Sequence, residues 1–352
     1  MVNIKVNTST AYDVIIDKNI ISSCGKYIRD AAKKANRVAL ISDDKVFPIY
    51  GDTVKKSIED SGLEAVCFTF ENGEKSKNIK TYAEILEFMA ENRLTRQDAV
   101  IALGGGVCGD MAGFAAATYL RGIKYIQIPT TLLASVDSSV GGKTAIDLEC
   151  GKNLAGAFHQ PSAVICDTNT FNTLSSDQIA CGFAEVIKYG ILYDRDFFGG
   201  LLQRKYSYEE IVAKCVNFKR EVVEADETEH GGRKFLNLGH TLGHAVEKLS
   251  GYTLTHGAAV AVGTIMISKI SEHFGFAEEP MTNLISDIFK KYNLPTDFHA
   301  STDEIINIAM NDKKAESKDI TLVMPRKIGK CTLEKTDYET FKKMVQYCTD
   351  NR

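Results

Sequence analysis

The chain has 352 residues, 44% of them hydrophobic, which is enough for two ordinary cores, and its 46 acidic against 42 basic residues leave a formal charge of −4. No block of lysine and arginine reads as a nucleic-acid arm, which argues against nucleic acid as a partner. No apolar run is long enough to span a bilayer, and the N-terminus MVNIKVNTSTAYDVIID lacks a basic stretch followed by an apolar one, so the expectation is a cytoplasmic protein with no membrane partner. The nine cysteines (24, 67, 108, 150, 166, 181, 215, 331 and 348) form no CxxC and read as buried thiols of a reducing compartment.

In chain order, short β-rich runs alternate with helical patterns up to about residue 170. They are IKV and DVIID, then RVALIS (37–42), AVCFTF (65–70), DAVIALGGG (98–106), YIQIP (125–129) and AVICD (163–167). This is the cadence of an α/β fold, with a Rossmann-like, mostly parallel sheet domain expected over residues 1–174. Beyond it the strand signal nearly vanishes. Segments 177–193, 207–225, 238–249, 257–274 and 281–292 carry helical periodicity, which predicts a mostly α-helical domain over 175–352 in which DITLVMP (319–325) forms a short strand. With no repeats and no low-complexity linker, the junction should be tight and the cleft between the domains is the expected ligand site.

Gly104, Gly106 and Gly109 satisfy GxGxxG directly after an apolar strand and at the start of a helical run, the context in which a pyrophosphate rests on backbone amides. The fingerprint half fails, because it follows a late strand and no acidic residue ends the next one. Asp43 or Asp44, at the end of VALIS, is the better carboxylate for ribose hydroxyls. Nucleotide binding and close helix packing both remain open for the glycines. Gly142, Lys143 and Thr144 look like the tail of a phosphate-binding loop, but Asp137 stands where the earlier glycine is required, and the ATPase reading is rejected.

Lys143, Lys152, Lys188, Lys219 and Arg233 sit in apolar or glycine-rich surroundings, and together they suggest a shared anion, although single lysines so placed usually reach the surface. Glu185 and Lys188 share a helix face, as an ordinary ion pair or with Glu185 as a metal ligand. In residues 231–257, His240 and His244 are four apart on one helix face and His256 opens the next segment. Imidazoles so grouped can ligate zinc, while capping or filling polar gaps is the plainer alternative.

Across nearly its whole length the chain resembles the 3-dehydroquinate synthase family. The resemblance is carried, in family order and spacing, by LGGGVCGDMAGFAAATYLRG, IPTTLLASVDSSVGGKTAID, GKNLAGAFHQP, GFAEVIKYGI, VVEADETEHGGR, LNLGHTLGHAVE and NDKK. SSDQIACG and ESKD depart from the family pattern, and the second leaves the choice between Lys313 and Lys314 open.

The resemblance implies a phosphate-eliminating lyase of the shikimate pathway, and so of chorismate and aromatic amino acid biosynthesis. Its substrate is the seven-carbon phosphate sugar acid 3-deoxy-D-arabino-heptulosonate 7-phosphate, and its cofactors are NAD and Zn2+ or Co2+. Family members oxidise a ring hydroxyl with NAD, eliminate phosphate, return the hydride, and let the ring open and close as a carbocycle. The metal ligands implied are Glu185, His240 and His256, which separates His240 from His244. The catalytic group implied is Lys143, Lys188, Lys219, Arg233, Asn237 and His244, the last for proton transfer. Substrate binding is implied for Arg121, Asp137, Asn153 and one of Lys313 and Lys314, with Arg121 reaching the phosphate across a homodimer interface. Nucleotide binding is implied for Asp43, Glu74, Lys77, Gly105, Gly106, Val107, Asp110, Thr130, Thr131, Lys152, Thr173 and Leu174. The competing expectations are another sugar phosphate cyclase, against which Lys188, Asn237 and His244 argue; a metal-dependent polyol dehydrogenase, which would consume NAD in proportion to product; and a non-catalytic nucleotide-binding module.

Overall fold

The computed structural model describes residues 1–311 and 319–351. Its first part runs β1 (Val2–Val6), β2 (Tyr12–Asp17), α1 (Cys24–Ala31), β3 (Arg37–Asp43), α2 (Asp52–Asp60), β4 (Glu64–Phe70), α3 (Ile79–Glu91), β5 (Ala99–Gly104), α4 (Gly106–Thr118), β6 (Lys124–Pro129), β7 (Lys143–Leu148), β8 (Gly151–Phe158) and β9 (Ala163–Asp167). There follow α5 (Ser176–Tyr193), α6 (Arg195–Leu202), α7 (Tyr208–Ala225), α8 (His240–Leu249), α9 (His256–His273), α10 (Thr282–Lys291), α11 (Thr302–Asn311), β10 (Asp319–Lys327), β11 (Lys330–Asp337) and α12 (Tyr338–Asp350). Among the described residues no helix is long and apolar enough to cross a membrane.

Two compact units result: Met1–Leu174 with Tyr208–Thr228, and Ser175–Ser207 with Glu229–Arg352. The first holds a seven-stranded sheet in the order β1-β2-β9-β6-β5-β3-β4, antiparallel between β1 and β2 and parallel elsewhere. Its central strands are continuous apolar runs because both faces are covered. Val38, Leu40 and Ile101 join Ile28, Val54 and Ile58 on one side, whereas Ala39, Ile41 and Val100 join Ile85, Met89 and Met111 on the other. From β3 the chain steps outward to β4 and returns to β3's other flank for β5. The order therefore reverses between β3 and β5, the place where open α/β sheets leave a crevice beyond the strand ends.

The sequence assigns residues 175–352 to one helical domain, and the structure corrects this for α7, which belongs to the first unit. Hydrogen bonds from the turn after β1 and from Gln160, just past β8, hold its far end and the residues that follow it. Asn7 N donates to Glu224 Oε1 at 2.7 Å, and Ser9 N and Gln160 Nε2 donate to Glu227 at 2.8 and 2.9 Å. At its near end the rings of Phe171 and Tyr208 meet edge to face, with centroids 5.2 Å apart. Periodicity identified the helix but carries no information on which core it joins.

The second unit contains α5, α6, α8 to α12 and the antiparallel hairpin β10–β11, longer than the single short strand expected. Ser175 starts α5 with a capping box to Gln178, and from Gly182 to Leu192 every residue is buried. A helix apolar on all sides belongs inside a core, and Glu185 and Lys188 go in with it.

Candidate functional site

In the first unit the strand ends gather much of the expected nucleotide set. Ser42 pairs with Leu103 and Gly104 with Pro129, so Asp43, Gly104 and Thr130 lie side by side, and Thr130 N donates to Gly104 O at 3.0 Å. Asp43 is buried. Its Oδ1 accepts from the amides of Lys45 and Val46, and Oδ2 lies 3.7 Å from where a Cβ on Gly104 would stand. The glycines divide between the two readings left open by the sequence. A Cβ at Gly104 would come 2.8 Å from Cys108 Cβ, and one at Gly109 2.7 Å from Gln127 Oε1, so these two let α4 approach the sheet. Gly105, next to Thr131, and Gly106, next to Ser138, begin α4, whose N-terminus has no side-chain cap, and Val107 follows in the same first turn. A carboxylate and an uncapped helix start at a switch point suit a ribose and a pyrophosphate.

Around this end Lys77, Lys152 and Lys219 are held by carboxylates. Lys77 Nζ lies 2.6 Å from Asp110 Oδ2 and also donates to Asn153 Oδ1. Burial pulls the Lys77 ammonium down, but the charges of Asp110 and Glu74 outweigh it and leave the group above its ordinary value. Lys152 reaches Glu74 at 3.6 Å. On α7, Lys219 Nζ is 2.7 Å from Asp137 Oδ1 and 2.6 Å from Asp137 O. Thr173 Oγ1 bonds Tyr50 Oη at 2.8 Å, and Leu174 ends this part of the unit. Lys143 opens β7 and is exposed.

Arg121 is not brought to this end. It is exposed in a turn between α4 and β6 where Leu120, Arg121 and Gly122 all take positive φ, at the opposite end of β6 from Thr130. Lys313 and Lys314 lie outside the described residues.

In the second unit Glu185, His240 and His256 each offer one ligand atom within 4.8 Å of the others. Lys188 Nζ contacts Glu185 Oε2, which leaves Oε1 facing Nε2 of both His240 and His256 at 3.7 Å. The other ring nitrogens are engaged. His240 Nδ1 donates to Leu238 O at 3.1 Å and His256 Nδ1 to Glu247 Oε2 at 3.3 Å, so both Nε2 atoms face Glu185. Two imidazoles, each anchored through Nδ1, and a buried carboxylate are a zinc-type donor set once His256 gives up its second proton. The metal pairing of His240 with His244 suggested by their spacing is thereby corrected. The His244 ring centroid stands 5.5 Å from that of His240 and 6.0 Å from that of His256; the residue is exposed and lies outside the ligand group. Arg233 is buried in a 3₁₀ turn over Gly232–Asn237, and Asn237 is exposed at its end. The sequence reading missed Glu247, whose signal was its place seven residues after His240, on the same helix face.

Burial, with Lys188 nearby, pushes His240 down to about 3. Burial also acts to lower His256, but its hydrogen bonds to Glu185 and Glu247 outweigh it and raise the group to about 9. In the metal-free protein at neutral pH, His256 therefore carries a proton that a cation must displace. Metal affinity is expected to rise about tenfold per pH unit between pH 6 and 8 and to level off above about 9. Calorimetry in buffers of different ionisation enthalpy should read close to one proton released per ion at pH 7; uptake without proton release would contradict this.

Models of the 3-dehydroquinate synthase N-terminal and C-terminal domains match residues 67–181 and 182–315. The 3-dehydroquinate synthase of Clostridium acetobutylicum is 45% identical over 94% of this chain and 96% of its own, and that of Streptococcus mutans 39% over 95% and 97%. Among solved structures, 2-deoxy-scyllo-inosose synthase with carbaglucose-6-phosphate, NAD+ and Co2+ superposes with a TM-score of 0.87 at 23% identity, over 98% of this chain and 100% of the other. An iron-containing alcohol dehydrogenase reaches 0.69 at 12% identity, over 99% of each. The fold is shared with 2-deoxy-scyllo-inosose synthase. The chain belongs to the 3-dehydroquinate synthase family.

Proposed function

We propose that this chain converts 3-deoxy-D-arabino-heptulosonate 7-phosphate to 3-dehydroquinate and inorganic phosphate, as a lyase of the shikimate pathway, with catalytic NAD and one divalent ion, Zn2+ or Co2+. The observation that carries the reading is the convergence of Glu185, His240 and His256 beside Lys188, in a chain of this family. When bound, NAD accepts and returns a hydride and the metal acts as a Lewis acid on the oxygen that is oxidised.

The residues supply the rest. Asp43 accepts from ribose hydroxyls, and the amides at the start of α4 (Gly105, Gly106, Val107) hold the pyrophosphate. Glu74, Lys77, Asp110, Thr130, Thr131, Lys152, Thr173 and Leu174 complete the nucleotide set, which the geometry of the first unit supports for Thr130, Lys77 and Asp110. Glu185, His240 and His256 hold the ion. Arg233 offers a fork of donors to an anion, while Lys143, Lys188 and Lys219 stabilise charge that develops on enolate and phosphate. Asp137 keeps the Lys219 ammonium fixed. Asn153, Asn237 and one of Lys313 and Lys314 position the substrate. His244 holds or moves a proton at an imidazole nitrogen, a role supported by its exposure beside the metal donors.

The exposed position of Arg121, at the opposite end of β6 from Thr130, supports a homodimer in which it serves the phosphate of the other copy. We place the protein in the cytoplasm.

Given substrate, substoichiometric NAD and Zn2+, the purified protein is expected to release about one phosphate per substrate with no lasting NADH absorbance. Stoichiometric NADH would make it a dehydrogenase, as the fold of the alcohol dehydrogenases allows. Phosphate release from glucose 6-phosphate instead would make it another cyclase.

A further inference from the structure

The two histidines of the metal group are anchored differently. His240 Nδ1 donates to a neutral backbone carbonyl, Leu238 O, whereas His256 Nδ1 donates to the carboxylate of Glu247, which is only 8% exposed. Burying a carboxylate is costly unless something compensates it, so its orientation toward an imidazole calls for a reason. The local chain is built to hold that orientation. Glu247 lies on the face of α8 that carries His240 and His244, and α9 begins at His256 itself. Between them the backbone turns through Gly251 and Tyr252, both at φ 62, and Glu247 O accepts from Ser250 Oγ at 2.7 Å and Tyr252 N at 3.1 Å. Thr255 then caps α9 by accepting from Ala258 N. The residue that aims His256 thus also closes the loop that delivers it.

We propose that Glu247 is the positioning residue for His256. It fixes the tautomer with the proton on Nδ1, turns Nε2 toward Glu185 Oε1, and, being anionic where Leu238 O is neutral, makes His256 the more strongly donating of the two imidazoles. Glu247 itself does not touch metal or substrate. The proposal rests on the metal-site reading of Glu185, His240 and His256.

The test is the dissociation constant for Co2+, measured by competition with a chromophoric chelator, together with the visible spectrum of the bound ion. Glu247→Gln keeps the side-chain volume and an acceptor oxygen but removes the charge; Glu247→Ala removes both. Affinity is expected to fall about 10- to 100-fold in Glu247→Ala and less in Glu247→Gln, with the Co2+ absorption bands altered and the unfolding midpoint of metal-free Glu247→Gln close to the parent's. Unchanged affinity and spectrum in Glu247→Gln and Glu247→Ala, with His256→Ala losing the ion, would overturn the proposal alone. Retention of Co2+ by His256→Ala would overturn the metal-site reading, and the proposal with it.

Discussion

Replacing His240 or His256 by alanine is expected to lower metal affinity more than about 100-fold, beyond what loss of an outer-shell partner produces, and to abolish phosphate release. His244→Ala is expected to keep its metal and lose about 10²- to 10⁴-fold in rate, the range of a lost general acid or base. The difference follows from which atoms converge. Nε2 of His240 and of His256 each lie 3.7 Å from Glu185 Oε1, while His244, exposed on the helix face it shares with His240, lies outside that group. Metal content and turnover should be measured on the same preparations. Equal metal loss in all three variants would refute the division of roles.

Gly263→Ala is expected to cost at least about 1–3 kcal/mol of stability and to weaken metal binding with it. A Cβ at Gly263 would stand 2.2 Å from Gly239 O and 2.6 Å from Gly243 N, and one at Gly239, whose φ is 76, 2.2 Å from Thr264 Oγ1. These glycines are where α8 and α9 touch backbone to backbone. The opposing atoms are main chain, so relief comes from separating the helices, and the helices carry His240 and His256 at their first residues. Gly199→Ala in α6, where a Cβ meets nothing within 4 Å, is the control and should be neutral or slightly stabilising. Thermal unfolding and a Co2+ titration of both variants check this. A Gly263→Ala protein with the parent's midpoint and affinity would show that the contact does not set the site.

Much of the architecture was legible because its signals are local. Buried parallel strands read as short apolar runs, and DAVIALGGG marked both β5 and the start of α4. Asp43 could be paired with those glycines because both end strands. Other features were not local. The hairpin β7–β8 was missed: its run GKNLAGAF is rich in glycine and alanine and gives little β signal, and its pairing with β7 is a tertiary event. The helix 207–225 was visible as a helix, yet its membership of the first unit rests on Asn7, Ser9 and Gln160, more than fifty residues away in sequence.

For the candidate site, the sequence by itself determined the inventory: a glycine turn after a buried strand, cations in apolar surroundings, Glu185 on one helix face with Lys188, and three histidines within a short stretch. Its family motifs implied how those residues divide their labour. Only the tertiary structure decided which donor atoms face one another. Spacing along one helix fixes a face and favours His240 with His244, but coordination needs lone pairs converging on a point. That convergence depends on how closely α8 and α9 approach through Gly239, Gly243 and Gly263, and on which way Leu238 O and Glu247 turn each ring.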